Sequence, residues 1–399
     1  MGNRNEFTKA QIMEALTVSN GNLTHAARHL NKTYEPESKV TRQNLQTWIN
    51  AGDDTDAQDM MDAADQGRAL RLQNNNNLRL RRDMRRLLDA QIRYDEVISA
   101  IEKVVWAAPS LPTPKPMIEF DPAGREITIE LLFSDLQVGK LMNDYDSEVA
   151  GRRVDEYVDV ALARINAYAY QGYRVERIVL AVLGDIIESD KKHDNSGRAC
   201  DIGTADQMRL GIEWLYGRVI RRLAQVGCPL DIIMITGNHD HDGHGLNMFM
   251  PGREHLSWPM YHAVRMLTEA AGIDAEFFIP EGSFHVHQIY GQNVLYEHGV
   301  GVATSGAALK KHVGNRIDQM KQYITLFRMG DKHNISRFNN DRHVVNGAFF
   351  GDSRNGEEYS GIAGYDGEPA QLMFAHVERK DNWRTSIFDS LAIQLGHIK

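Results

Sequence analysis

Acidic, amide and imidazole side chains follow apolar runs at several places in this sequence. They are, in chain order, Asp135 and Gln137 in SDLQ, Asp185 in LGDII, Asn238 and His239 in TGNHD, His298 in YEHG, and Asp331 and His333 in GDKH. In α/β proteins, ligands bind beyond the carboxyl ends of the strands. Oxygen donors with a minority of imidazoles suit Mn²⁺, Mg²⁺ or Fe²⁺ better than a thiolate-type zinc site. The pattern therefore predicts a centre for divalent metal ions.

These residues have to be positioned by strands and helices that alternate along the chain. The β-rich runs ITIELLF, RIVLAVLG and LDIIMITG are separated by helical stretches at 152–172 and 206–226. Such alternation is typical of an α/β domain with a buried sheet. Further along, SFHVHQIYGQNVLYEHG predicts a hairpin, HVVNGAFFG predicts a strand, and GDKH is expected in a loop after a helix.

The polar residues belong to motifs that occur in the order D-L-Q, G-D, G-N-H-D, H-G and G-D-K-H. In this order they resemble the calcineurin-like metallophosphoesterase superfamily, whose pattern is D-x-H, G-D, G-N-H-[DE], H-G and G-H-x-H. The resemblance covers residues 127–399, and VVNGAFFG at 344–351 is similar to a strand of phage and DNA-repair nuclease members. It implies an α/β fold in which two sheets form a sandwich flanked by helices, the metallophosphoesterase fold.

The resemblance also implies a role for each motif residue. The implied ligands are Asp135, Gln137 and His333 for metal 1, Asn238, His298 and Asp331 for metal 2, and Asp185 as the bridge. His239 would protonate the leaving oxygen, which suits a group that titrates near neutral pH. Glu188 lies where relatives place a residue beside that histidine. The implied cofactor is a pair of divalent ions, Mn²⁺ first, with Mg²⁺ or Fe²⁺ as alternatives.

Two positions depart from the family pattern. Gln137 replaces the first histidine, and Asp331 replaces the first histidine of the last motif. An amide oxygen is a weaker donor than imidazole, whereas a carboxylate adds negative charge and favours a hard ion. Both side chains can ligate, so two ions remain the expectation.

The N-terminal residues 1–50 predict a small all-α unit. GNLTHAARHL and VTRQNLQTWIN resemble the last two helices of a Fis-type helix-turn-helix, with Thr41 as a cap and a long turn at 31–39. The second of these helices would expose Arg42, Gln43, Gln46 and Thr47. Arginine pairs with guanine and glutamine with adenine in the major groove, so DNA is the expected partner. A three-helix interaction module is the alternative.

A connector at 51–107 and a proline-rich linker at 108–116 separate this unit from a catalytic domain at 117–399. The connector begins with an acidic segment and continues as an arginine-rich helical pattern that includes Arg81, Arg82, Arg85 and Arg86. Those side chains are predicted to contact DNA phosphates. Alternatively, an apolar stripe in the 68–106 helix pairs two chains into a homodimer, or the helix is a solvated charged one.

Composition narrows the class of protein. No apolar run approaches the roughly 18 residues of a membrane helix, and the N-terminus has no apolar signal region, so neither membrane insertion nor secretion is expected. The two cysteines point to the reducing cytoplasm and exclude a cysteine-built zinc site. A net charge of −9 does not by itself indicate a nucleic-acid binder.

These observations favour a Mn²⁺-dependent phosphodiesterase that hydrolyses DNA, that is, a nuclease. The preference for DNA rests on the N-terminal region and not on the metal residues. A phosphomonoesterase acting on nucleotides or phosphoproteins is the alternative within enzymes. A DNA-binding regulator with a vestigial metal site is the alternative of another class.

Overall fold

The structure is a computed structural model in which the chain forms two compact units, Met1–Glu96 and Val97–Lys399. It describes residues 4–19, 21–51, 112–190, 199–240, 252–351, 364, 367–379 and 385–396. The acidic segment of the connector and the arginine-rich helix lie outside the described residues. No helix within the described ranges is long and apolar enough to cross a membrane.

The described part of the first unit contains three α-helices, α1 (Lys9–Val18), α2 (Leu23–Tyr34) and α3 (Arg42–Asn50). The Asn22 and Thr41 side chains accept hydrogen bonds from the first-turn amides of α2 and α3, as expected for N-caps. Apolar positions spaced for one face of each helix are buried together. They are Ile12, Leu16, Leu23, Ala26, Leu30, Leu45 and Ile49.

The connection between α2 and α3 differs from the predicted turn at 31–39. Helix α2 continues to Tyr34, so Asn31 is helical and the connection starts at Glu35. The Asn31 amide accepts from Val40 N at 2.7 Å and donates to Val40 O at 2.8 Å. This pair of hydrogen bonds explains how a long connection is held against α2.

The second unit alternates strands and helices. Its elements are β1 (Arg125–Phe133), α4 (Ser147–Tyr170), β2 (Tyr173–Val182), α5 (Thr204–Glu213), β3 (Leu230–Met234), α6 (Ser257–Ala270), β4 (Ala275–Phe278), β5 (Phe284–Ile289), β6 (Gln292–Glu297), α7 (Gly306–Met320), β7 (Leu326–Met329), β8 (Ser336–Phe338), β9 (His343–Val345), β10 (Ala370–His376) and β11 (Ile387–Gln394). A π-helical segment, Trp214–Ile220, extends α5 along the predicted stretch at 206–226. The GDKH loop directly follows strand β7, so the prediction that this loop follows a helix is wrong. Of HVVNGAFFG, only the first three residues are extended in β9.

Within the described residues the strands form two sheets. One has the order β11-β10-β1-β2-β3-β4, and the other has the order β5-β6-β7-β9-β8. Strands β1 to β4 are parallel to one another, and β6, β7 and β9 are parallel in the second sheet. Since parallel strands end at the same edge, each sheet presents its polar strand ends together.

Alternate residues of the central strands face different layers. In β2, Ile178 and Leu180 join the core against helices α4 to α6, whereas Val179 and Ala181 join the core between the sheets. Helix α7 covers the far face of the second sheet through Leu309 and Val313. The predicted α/β sandwich of two sheets flanked by helices is therefore confirmed.

A fully buried ionic cluster joins the two sheets. Glu130 of β1 accepts from Arg328 Nε at 3.0 Å and from the Tyr296 hydroxyl at 2.7 Å. His376 Nε2 lies 2.9 Å from the same carboxylate. Burial alone would raise the pKa of Glu130, but Arg328 and His376 lower it to about 2. The carboxylate therefore remains ionised between the sheets.

Replacing Glu130 with alanine is expected to lower the free energy of unfolding by about 3–5 kcal/mol, because Arg328 would remain buried without a counter-ion. Urea unfolding followed by circular dichroism measures the loss. The contribution of Glu130 is present above its ordinary pKa of 4.5 and is lost as pH falls toward its folded pKa of about 2.

Glu126→Ala is the matched control, since Glu126 lies on the same strand and pairs with Arg174 in an exposed position. Its loss should cost less than about 1 kcal/mol. Equal losses in the two variants would contradict a stabilising role for the buried cluster.

Candidate metal centre

The structure brings all the predicted ligands to the carboxyl ends of parallel strands. Asp135 and Gln137 follow β1, Asp185 follows β2, Asn238 follows β3, His298 follows β6, and Asp331 and His333 follow β7. The edges of both sheets thus contribute to one cluster. The loops lie so close that a Cβ atom at Gly237 would come within 2.0 Å of Asp185 Oδ1, so glycine is required there.

The residues predicted for metal 2 surround the ring nitrogen Nε2 of His298. That atom lies 2.9 Å from Asn238 Oδ1, 3.2 Å from Asp185 Oδ2 and 3.6 Å from Asp331 Oδ1. The Nδ1 atom donates to the carbonyl of Leu183 at 2.7 Å, so Nε2 is the ring nitrogen that can ligate a cation once it has given up its own proton. Three oxygens that converge on this nitrogen fit a site for a divalent cation.

The residues predicted for metal 1 lie beside them. Asp135, Asp185 and His298 each offer a ligand atom within 4.8 Å of the other two. His333 Nε2 lies 3.5 Å from Asp135 Oδ1 and 3.5 Å from Gln137 Nε2. The oxygen of the Gln137 amide accepts from Lys140 Nζ at 2.8 Å.

Without a cation, protons stabilise the buried cluster. Burial lowers the pKa of His298, but the surrounding carboxylates, chiefly Asp185, raise it to about 10. Burial and the charge of Asp185 raise the pKa of Asp135 to about 6, against the opposing effect of His333 and His298. Because the carboxylates and imidazoles of this cluster hold on to protons, the cluster favours added positive charge.

Most of the predicted ligands have a left-handed backbone. The φ angles are 54° at Asp135, 44° at Gln137, 54° at Asp185, 67° at Asp331 and 55° at His333. Non-glycine residues rarely adopt this region, and such strain persists only where the surrounding structure imposes it. The loops are thus shaped to direct these side chains into the cluster.

His239 and Glu188 form a pair at the edge of the centre. His239 Nδ1 lies 3.1 Å from Glu188 Oε2, and the His239 backbone amide donates to Asp185 Oδ1 at 2.7 Å. Burial disfavours the charged imidazole, yet Glu188 and Asp185 raise the pKa of His239 above its ordinary value. The imidazole is therefore held in an orientation and a protonation state that suit a proton donor.

Asp240 is a supporting residue to which the sequence analysis gave no role. Its carboxylate is fully buried and accepts from the amides of Asp185, Ile186 and Gly237 at 2.8–3.0 Å. It therefore fixes the G-D loop against the G-N-H-D loop. Its position as the last residue of the G-N-H-D motif was the available signal.

A second support lies behind Asp135 and was also missed. Gln371 of β10 accepts from the Ser134 amide at 3.0 Å and from Asn346 Nδ2 at 2.6 Å. The Phe349 amide donates to the Asp135 carbonyl at 3.2 Å. The segment VVNGAFFG thus holds the first motif in place by hydrogen bonds as well as by packing.

The residues predicted to read DNA lie on α3 of the first unit. Arg42, Gln43 and Thr47 are exposed, and Gln46 is half-buried. The Thr47 hydroxyl donates to the Gln43 carbonyl at 2.9 Å, and the Gln46 amide donates to Asn50 Oδ1 at 3.3 Å. The remaining predicted contacts, Arg81, Arg82, Arg85 and Arg86, lie outside the described residues.

Fold and cluster together define a two-sheet α/β protein with a candidate metal centre at its strand ends. No family model matches the sequence, and no curated protein matches it significantly. Among solved structures, the chain is similar to a novel archaeal phosphodiesterase at 8% identity, over 66% of this chain and 99% of that one, with a TM-score of 0.29.

Vacuolar protein sorting 29 from Cryptosporidium parvum matches at 11% identity, over 67% of this chain and 98% of that one, with a TM-score of 0.32. A putative 5'-nucleotidase from Staphylococcus aureus matches at 10% identity, over 67% and 54% of the two chains, with a TM-score of 0.29. Similarity at this level assigns neither an activity nor a ligand to this chain.

Proposed function

We propose that this protein is a metal-dependent phosphodiesterase that hydrolyses DNA, a nuclease of the calcineurin-like type. One observation carries the proposal. The acceptor atoms of Asp185, Asn238 and Asp331 converge on His298 Nε2, directly beside the His239–Glu188 pair. A cation site next to a positioned proton donor is what phosphate-ester hydrolysis requires.

The ligand sets implied by the motifs provide two positions for divalent ions, and Mn²⁺ is the proposed ion because the donors are mostly oxygens. Divalent ions, when bound, neutralise phosphate charge and lower the pKa of a coordinated water. Asp185 would serve both positions. The Leu183 carbonyl holds the His298 ring so that Nε2 faces the metal-2 position.

His239 is proposed to give a proton to the leaving oxygen. Glu188 Oε2 lies 3.1 Å from Nδ1 as an ion-pair partner, and the opposite ring nitrogen lies 4.0 Å from Asp185 Oδ2 of the centre. The carboxylate also stabilises the charged imidazole before the proton is given up. Glu188 thus acts by positioning and charging His239.

A cavity of about 260 Å³ adjoins the metal-2 residues and offers room for part of a substrate. Its lining includes Asn238, His298 and Arg316. Arg316 pairs with Glu297 at 2.7 Å, and His312 contacts the same carboxylate. The Arg316 guanidinium is therefore held at a fixed place on the wall of the cavity.

The choice of DNA as the substrate is supported by the three-helix unit, which exposes Arg42 and Gln43 at the start of α3. The test is to incubate the full-length protein with Mn²⁺ and end-labelled single- or double-stranded DNA, alongside p-nitrophenyl phosphate. Shortened DNA with little monoester hydrolysis is expected. Faster hydrolysis of the monoester would indicate a phosphatase, and DNA binding without hydrolysis would indicate a regulator.

Removing residues 1–107 is expected to leave hydrolysis of bis(p-nitrophenyl) phosphate nearly unchanged, because all proposed ligands lie beyond residue 131. This boundary keeps the hydrogen bond of 2.9 Å from the Thr113 hydroxyl to the Ala271 carbonyl. Binding of duplex DNA should weaken, and the slope of log K against log salt should flatten by about 0.9 per lost phosphate contact. Fluorescence anisotropy at several salt concentrations measures both.

Full-length variants separate the two proposed kinds of DNA contact. Neutralising Arg81, Arg82, Arg85 and Arg86 together should flatten the salt slope. Replacing Arg42 and Gln43 with alanine should instead relax sequence preference with little change in slope. Unchanged affinity and slope after the truncation would assign the first unit to assembly or to another partner.

A further inference from the structure

Lys140 contacts Gln137, one of the residues predicted for metal 1. Its ammonium nitrogen is 2.8 Å from Gln137 Oε1 and 3.9 Å from Glu188 Oε2, and its side chain is only 12% exposed. The same nitrogen stands 4.4 Å from the centre of the Phe350 ring. A hydrogen bond of 2.9 Å from the Lys140 amide to the Gln137 carbonyl fixes the intervening turn. The cation is therefore built into the site.

This lysine decides which way the Gln137 amide faces. An ammonium group only donates hydrogen bonds, so it must meet the amide oxygen. The amide nitrogen is then directed at His333 Nε2, 3.5 Å away. An amide nitrogen has no lone pair for a metal ion, so Gln137 in this orientation gives metal 1 no ligand atom.

The metal-2 half also contains a lysine beside a ligand, with a different consequence. Lys332 Nζ contacts Asp331 Oδ2 at 2.6 Å, while Asp331 Oδ1 faces His298 Nε2 at 3.6 Å. A carboxylate has two oxygens, so one can meet the lysine and the other can ligate. The amide of Gln137 has a single oxygen and cannot do both.

We propose that the centre holds one divalent ion tightly, at the metal-2 position, and that Lys140 supplies the second positive charge where metal 1 would bind. The inference rests on the proposed function, since it concerns how that metal centre is charged. The ammonium group repels a second cation and occupies the Gln137 oxygen that would otherwise bind that cation. It also offers a donor to a phosphate oxygen of the substrate. A second ion enters only at high concentration.

The test counts ions on the full-length protein. Chelator-stripped protein is equilibrated with Mn²⁺, and bound Mn²⁺ is measured by calorimetry, by elemental analysis after gel filtration and by electron paramagnetic resonance. The wild type should bind one ion tightly and show a mononuclear spectrum. Lys140→Met should tighten the second site by about 10- to 100-fold, a change of the size that partners of metal ligands have on affinity but of opposite sign, because here the partner opposes the ion.

Further variants make the result specific. Adding Gln137→His to Lys140→Met should give two tight ions with a spin-coupled spectrum, and Lys140→Arg should keep the wild-type count of one. Lys332→Met is the matched control, because it removes the same charge beside the other ligand set. It should leave the count at one. Thermal melting checks that each variant is folded.

Two tight and equal sites in the wild type, unchanged by Lys140→Met, would overturn the inference while leaving the proposed metal-dependent hydrolysis intact. Failure of the wild type to bind any Mn²⁺ would overturn both. One tight ion with no hydrolysis of DNA would support the inference and reject the proposed substrate. The ion count and the hydrolysis assay therefore test the inference and the proposed function separately.

Discussion

Replacing Asp185 with asparagine is expected to lower hydrolysis of a phosphodiester by at least about a thousandfold, equivalent to the several kcal/mol that a bound cation contributes. Asp185 is buried, and its Oδ2 lies 3.2 Å from His298 Nε2. Asparagine keeps the size of the side chain but removes the negative charge. Rates with bis(p-nitrophenyl) phosphate and bound Mn²⁺ per chain measure the loss of turnover and of metal together.

The matched control is Asp231→Asn, which also removes a buried carboxylate from the same sheet. Asp231 pairs with Arg177 at 2.6 Å and with His287 at 2.9 Å, away from the candidate ligands. This variant should lose stability but keep its turnover at a temperature where it remains folded. Near wild-type turnover in Asp185→Asn would show that the motif assignment is wrong.

His239→Ala should lower the rate by about 10²–10⁴ on a DNA phosphodiester, the usual range for a lost general acid. The leaving alkoxide of DNA needs a proton, and the pKa of His239 is raised by Glu188 and Asp185 so that the proton is retained. Nitrophenolate leaves without help. The loss on bis(p-nitrophenyl) phosphate should therefore be much smaller than the loss on DNA.

Glu188→Gln tests the same assignment through the partner of His239. It removes the carboxylate 3.1 Å from Nδ1 but leaves the imidazole in place. Like His239→Ala, this variant should lose more activity on DNA than on bis(p-nitrophenyl) phosphate, but the difference should be smaller. Equal losses on both substrates in His239→Ala would mean that the histidine positions phosphate or supports the metal-2 residues.

The sandwich and the gathering of the candidate ligands were predictable because buried parallel strands are continuous apolar runs in the sequence. A polar residue that ends such a run must lie at the sheet edge. Strands β1, β2 and β3 follow this rule, and the polar residues after them meet at one edge of the sheet. The order of the motifs indicated which polar residues belong to one site, which their spacing alone does not show.

Other features depend on partners far away in the sequence. Strand β10 pairs with β1 across more than 200 residues, and its run AQLMFAH has none of the β-branched residues that mark a strand. The role of Asp240 likewise depends on contacts between separate loops. Lys140 lies only three residues from Gln137, but its contact with the amide oxygen depends on the turn between them, which residue types alone do not reveal.

The most direct test of a metal-dependent nuclease is to strip the full-length protein of divalent ions and titrate Mn²⁺ back while following cleavage of end-labelled DNA. Elemental analysis confirms the stripping. The proposed metal dependence predicts no cleavage by the stripped protein and recovery in step with bound Mn²⁺. Full cleavage by protein shown to be free of divalent ions would contradict it.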